Sequence, residues 1–119
     1  MSHDAAAAAF EKLYAAFHEA DLLVQRRVAI LSKWQALPDN EAKRVLVKVA
    51  CVELGRCQTA RAQVLQRIKE AELVEAEEAL AAAQAPAVRA ALEEEVQRLR
   101  DQLALVRAGL ARDDADGRA

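Results

Sequence analysis

The chain has 119 residues, of which 54% are hydrophobic, 3% aromatic and 30% charged, and its formal net charge at pH 7 is -2. This length allows one domain with a modest core, and the shortage of aromatic rings favours thin, alanine-rich helical packing over a thick globule. The sequence has no run of about 18 apolar residues and lacks the layout of a signal peptide, so we expect a cytoplasmic protein without a membrane span.

Three helices are predicted, because strong helix formers fill the chain and its only prolines, Pro38 and Pro86, separate them. Asp39 is the expected N-cap of the second helix, with Glu41 in its first turn, and Pro86 opens the third helix. Strand signals are absent, so the expected fold class is all-α. The predicted helices cover residues 5–36, 40–84 and 86–112, in a single domain over residues 1–112 with a disordered tail over 113–119.

Apolar residues recur at intervals of three and four along each predicted helix, as they do in coiled coils. The first helix carries Phe10, Leu13, Phe17, Ala20, Val24, Val28 and Leu31. The second carries Val47, Ala50, Leu54, Cys57, Val64, Ile68 and Ala71, with Arg61 interrupting, and the third carries Leu92, Val96, Leu99, Leu103, Val106 and Leu110. Because short loops make neighbouring helices antiparallel, we predict two consecutive helical hairpins with these seams as their core.

Counting residues across the two turns indicates that the third helix does not cover the start of the second helix. With a rise of about 1.5 Å per residue, residue numbers paired across the first turn sum to roughly 77, and those across the second to roughly 170. The third helix then ends opposite about residue 57, short of the apolar segment 45–54. We therefore predict that two copies pair here into a helical-bundle dimer, with a different partner chain as the alternative. The predicted dimer interface comprises Leu23, Ile30, Val45, Val49, Cys51, Val52 and Gly55.

Charge is unevenly distributed along the chain. Residues 26–69 hold ten basic and three acidic residues, a net charge of +7, whereas residues 70–95 hold eight acidic residues and one basic residue, a net charge of -7. This charge pattern has three competing interpretations. In the first the charges simply form a solvated surface, in the second the acidic residues 70–95 at the tip of the second hairpin dock onto a basic partner, and in the third the basic residues 26–69 bind nucleic acid. For docking, the candidate partner-binding residues are Trp34, Glu72, Glu75, Glu78 and Glu94, where Trp34 either caps the first hairpin or anchors a partner.

Candidate chemical sites are few, and we expect no catalytic residue, cofactor or metal ion. Cys51 and Cys57 are about 120° apart around a helix and about 9 Å apart along it, too far for a disulfide or a shared metal ion. They are expected to be thiols, with Cys51 and Gly55 in a ridge of small residues that lets another helix approach closely. His18 has no histidine or carboxylate four residues away on its own helix, so it lacks metal-ligand spacing.

The overall layout is similar to that of small helical secretion and flagellar export chaperones, adaptor subunits and coiled-coil assembly factors, although no family motif is present. Layout alone does not determine function. Because we expect no catalytic residue, cofactor or metal ion and the sequence leaves an apolar segment uncovered, we predict a non-catalytic, homodimeric interaction module, an adaptor or chaperone-like partner for another helical protein. The alternative is a nucleic-acid-associated or regulatory protein that uses the basic region 26–69.

Overall fold

The computed structural model of the chain describes residues 3–118, with side chains for residues 5–115; residues 1, 2 and 119 lie outside the described part. Three helices follow one another: α1 (His3–Gln35), α2 (Glu41–Ala82) and α3 (Pro86–Arg118). No strand occurs within residues 3–118. The prediction of an all-α fold built from three long helices is confirmed.

The cap of α2 differs from the prediction by one residue. Asn40, not Asp39, is the N-cap: its backbone is extended, and its side-chain oxygen accepts a hydrogen bond of 2.9 Å from the backbone N–H of Lys43. Asp39 lies instead 3.9 Å from the guanidinium of Arg44. Both side chains suit an N-cap, and the geometry of the loop selects Asn40. Glu41 lies in the first turn, as predicted.

The second connection is short and is held by one arginine. The Arg89 guanidinium donates hydrogen bonds to the backbone carbonyls of Leu80, at 3.1 Å, and Ala83, at 2.9 Å. The last carbonyls of a helix lack intrahelical partners, and a cation favours the negative end of the helix dipole. The Leu80 carbonyl also accepts a hydrogen bond of 3.3 Å from the C-cap N–H of Ala83. Arg89 therefore ties the start of α3 to the end of α2.

The third helix is longer than the sequence predicted. We expected it to end at Arg112 and to be followed by a disordered tail, whereas α3 continues to Arg118. No proline interrupts this stretch, and the side chain of Asp113 accepts a hydrogen bond of 3.4 Å from the Thr59 hydroxyl of α2.

Helix α2 is the central element, because α1 and α3 both pack against it and, within residues 3–118, not against each other. In the first hairpin, Tyr14 lies near Glu72 and Asp21 pairs with Arg61, so residue numbers fall along α2 as they rise along α1. The second hairpin has the same opposed order, with Arg100 paired to Glu77 and Arg107 to Glu70, so each hairpin is antiparallel. The molecule is elongated, with extents of 67 × 29 × 23 Å.

The core is thin and follows the predicted seams. All six seam residues of α3 are buried or half-buried, and those of α1 are half-buried or buried except Val28, which is 44% exposed. Among residues 5–115, the buried apolar residues are Val24, Ala50, Ile68, Val96, Leu99 and Leu103. Within the described residues, no helix is long and apolar enough to cross a membrane.

Candidate interaction surfaces

The most apolar exposed surface lies at the start of α2. Val45, Val49 and Val52 are 56%, 50% and 49% exposed, and their spacing of four and three places them on one side of the helix. Ala50, on the side facing α1, is buried. The contact between Thr59 and Asp113 places α3 beside the middle of α2, beyond these valines. The first hairpin therefore leaves this valine stripe uncovered.

The remaining residues of the predicted dimer interface are distributed around the first hairpin. Leu23 and Cys51 are exposed, whereas Ile30 and Gly55 are half-buried. Leu23 and Ile30 are seven residues apart on one face of α1. The structure thus shows a continuous stripe on α2 and a separate apolar edge on α1.

Within the described residues, no other helix closely approaches Gly55 of the small-residue ridge. A Cβ atom built on Gly55 meets nothing within 4 Å, and the same holds for Gly109 of α3. Gly55 instead borders an open groove of about 420 Å³ beside Thr59 and Asp113. The close approach that the sequence suggested would require a second molecule.

Both cysteines are free thiols, Cys51 exposed and Cys57 half-buried. Within the described residues, no group of three or more His, Cys, Asp or Glu side chains is arranged to hold a metal ion. His18 is exposed on α1.

The predicted partner-binding residues lie at both ends of the molecule. Trp34 is half-buried near the first loop, where its backbone carbonyl accepts a hydrogen bond of 3.2 Å from the N–H of Leu37. Glu75 and Glu78 of α2 and Glu94 of α3 are exposed. Glu72 is different, because it is half-buried and lies 3.3 Å from the ammonium group of Lys69.

All three helices line a groove of about 280 Å³ near the second hairpin, which sequence reasoning did not identify. Phe10 and Tyr14 of α1 stack with their ring centres 5.9 Å apart, facing Glu72 and Glu75 of α2. Partial burial raises the pKa of the Tyr14 hydroxyl, and the nearby charges of Glu72 and Glu75 raise it further. The aromatic pair, spaced by four residues on an alanine-rich helix, is the signal that could have revealed this groove.

Ion pairs already offset part of the acidity around this groove. Glu72 lies beside Lys69, and Glu95 pairs with Arg98 of its own helix. The hydrogen bond from Arg98 lowers the pKa of the Glu95 carboxyl. The groove is thus a polar junction between helices in which at least two of its three carboxylates have cationic neighbours.

A second polar contact joins α1 to α2. The Arg61 guanidinium donates to the Asp21 carboxylate at 2.7 Å, and the Gln25 amide donates to the same carboxylate at 2.8 Å. The hydrogen bond from Arg61 is the main cause that lowers the pKa of Asp21, with smaller contributions from Gln25 and the Arg61 charge. Arg61, which interrupts the apolar seam in the sequence, therefore has a partner of opposite charge on the facing helix.

Comparison of the chain with protein-family models, curated proteins and solved structures gave no match. The function of this chain is therefore inferred from its surfaces.

Proposed function

We propose that this protein is a non-catalytic interaction module of the cytoplasm, an adaptor or chaperone-like partner for another helical protein, and that it acts as a homodimer. The observation that carries the proposal is the valine stripe of Val45, Val49 and Val52, which no other part of the described chain covers. Contiguous exposed apolar side chains mark association surfaces more often than isolated ones do.

The free energy gained by covering the valine stripe can be compared with the cost of association. Full burial of a valine contributes about 1.5–3 kcal/mol, so a half-exposed valine contributes roughly 1 kcal/mol when covered. Three such valines on each of two copies would contribute roughly 6 kcal/mol, at the lower end of the association cost of about 4–15 kcal/mol. The stripe therefore favours pairing, and adjoining surface has to supply the rest.

The acidic second hairpin supports a separate contact with a basic partner. Glu75, Glu78 and Glu94 extend exposed carboxylates from two helices, and residues 70–95 carry a net charge of -7. Complementary charge accelerates encounter and selects partners more than it increases affinity. The class of partner that we expect is an amphipathic helix with basic side chains, which would contact the exposed carboxylates of this hairpin and lie in a groove between helices.

The test is affinity capture followed by mass spectrometry, with matched variants as bait. The Glu75→Gln/Glu94→Gln variant removes the charge of two exposed carboxylates of the acidic hairpin, and Glu11→Gln/Glu19→Gln removes that of two exposed carboxylates of α1. We expect a helical protein with a basic surface to be retained by the wild type and the α1 variant, and to be lost from the acidic-hairpin variant. Equal capture by all three baits would contradict the proposal.

A second candidate function, nucleic-acid association, is favoured by one observation. Six of the ten basic residues in region 26–69 form no ion pair within the described residues: Arg26, Arg27, Lys33, Lys43, Lys48 and Arg67. Binding by this region would weaken steeply with salt because counterions are released from the phosphates. Salt-dependent retention of a DNA or RNA duplex, abolished by Lys43→Glu/Lys48→Glu, would support this alternative.

A further inference from the structure

The outer face of α2, on the side opposite its buried residues Ala50 and Ile68, is exposed along almost the whole helix, and near its middle it borders the groove beside Asp113 of α3. Its exposed residues recur at intervals of three, four and seven, as expected for one side of a helix. They are Val45, Val49, Val52, Arg56, Ala60, Gln63, Arg67, Val74, Glu78 and Ala81. Since α1 and α3 occupy the other sides, the outer face leaves room for one more helix.

Charge along α2 changes sign at its midpoint. Residues 41–61 hold five basic and two acidic residues, a net charge of +3, and residues 62–82 hold two basic and five acidic residues, a net charge of -3. A second α2 laid antiparallel places each basic half against an acidic half. A parallel arrangement, or pairing through the basic first hairpins alone, places like charge against like charge.

We propose that a second copy of this chain packs antiparallel along the outer face of α2, with the middle of the helix, near residue 62, on a twofold axis. This inference rests on the self-association proposed above and specifies its surface and direction. A twofold interface requires a surface that complements itself, and the opposite net charges of the two halves of α2 meet that requirement, with Arg67 as the one basic side chain of the outer face in the acidic half. Leu23, Ile30, Cys51 and Gly55 of the predicted interface then lie beside the main contact.

The available area favours full-length pairing. The 42 residues of α2 extend about 63 Å, and a strip about 10 Å wide gives roughly 600 Å² per copy, close to the roughly 800 Å² of a standard interface. Along the uncovered part of α2 alone, over residues 41–54, the same strip gives roughly 200 Å². Pairing along the whole helix also covers Val74, which is 55% exposed and lies in the acidic half of α2, beyond residues 41–54.

The two arrangements predict different distances between the exposed Cys51 thiols of the two copies. With residue 62 on the axis, each Cys51 is eleven residues from it, so the two lie about 33 Å apart along the helices. Pairing centred near Val49 would instead place them about 6 Å apart along the helices. Spin labels on Cys51 in a Cys57→Ser background can distinguish these distances by electron paramagnetic resonance.

We expect the labelled Cys57→Ser protein to keep a dimeric mass and to give a distance of about 30–40 Å. A distance below about 20 Å would overturn the antiparallel arrangement while leaving self-association intact. A monomeric mass without dipolar coupling would overturn both. The same Cys57→Ser protein without label is the control for an effect of labelling on the mass.

Charge reversal tests the direction independently. Lys48 lies opposite about residue 76 of the second copy, within one turn of Glu78, and neither side chain has an ion pair within the described residues. We expect Lys48→Glu and Glu78→Lys each to weaken dimerisation about tenfold, and the double variant to recover most of the loss. Glu94→Lys, at an exposed carboxylate of α3, is the control that should change little. A double variant weaker than either single variant would overturn the proposal.

A valine in the acidic half of α2 provides the last test. Val74→Asn should weaken dimerisation about tenfold, because Val74 lies on the outer face of α2 in its acidic half. Leu105→Asn alters the most exposed large apolar side chain, at 72%, but lies on α3 and should leave the dimer unchanged. Equal dissociation constants for the Val74→Asn variant and the wild type, measured by sedimentation, would contradict pairing along the whole of α2.

Discussion

Replacing Gly55 by alanine tests whether the chain itself needs a glycine there. Gly55 lies inside α2, and a Cβ atom at this position has no neighbour within 4 Å, so alanine introduces no clash. Alanine is more favourable than glycine in a helix interior by about 1 kcal/mol. Gly109, inside α3, also has nothing within 4 Å of an added Cβ and is the matched control.

We therefore expect Gly55→Ala and Gly109→Ala each to raise the free energy of unfolding by about 1 kcal/mol and the melting temperature by about 4 °C. Thermal unfolding followed by far-ultraviolet circular dichroism measures both variants under one set of conditions. The reasoning is refuted if Gly109→Ala is stabilising while Gly55→Ala is neutral or destabilising. That result would mean that another helix approaches the backbone closely at Gly55, as the small-residue ridge first suggested.

Three further substitutions test the packing and polar contacts. Leu99→Ala should lower the free energy of unfolding by about 3 kcal/mol in urea titrations because it leaves a cavity in the core, whereas exposed Leu105→Ala should change it by less than about 0.5 kcal/mol. Asp21→Asn should lower the free energy of unfolding at neutral pH, and the difference in this free energy between the variant and the wild type should disappear in acid. The reason is that Arg61 lowers the pKa of Asp21 below its ordinary 3.8, so the ion pair stabilises the fold above that value and is lost as the pH falls through the lower folded pKa. Arg89→Ala should lower the melting temperature by about 4 °C through loss of the α2 cap, at a cost of about 1 kcal/mol, and an unchanged value would show that water replaces the guanidinium.

Most of the fold could be predicted from the helical periodicity of the sequence, because burial in this chain depends mainly on which face of its helix each apolar residue occupies. The seam through Leu99 and Leu103 is buried as predicted, and Pro86 begins α3. The cap at Asn40 was not predicted, since Asp39 and Asn40 have similar capping chemistry and only the loop backbone decides between them.

The register between α1 and α2 and the exposure of the outer face of α2 were harder to predict. Counting across the first turn places Asp21 opposite about residue 56, yet its carboxylate binds Arg61. Counting assumes that both helices start level at the loop and ignores the reach of a long arginine side chain. The sequence also contained the spacing that aligns Val74 with the first three valines, but the position of α3 was needed to show that this face stays open.

Homodimer formation is tested by the molecular mass of the protein in solution. The chain has a mass of 13.0 kDa, so we expect about 26 kDa for the homodimer by multi-angle light scattering at micromolar concentration. We also expect Val49→Asn to shift the protein towards 13.0 kDa, whereas Leu105→Asn should not. A wild-type mass of 13.0 kDa at these concentrations would contradict the account.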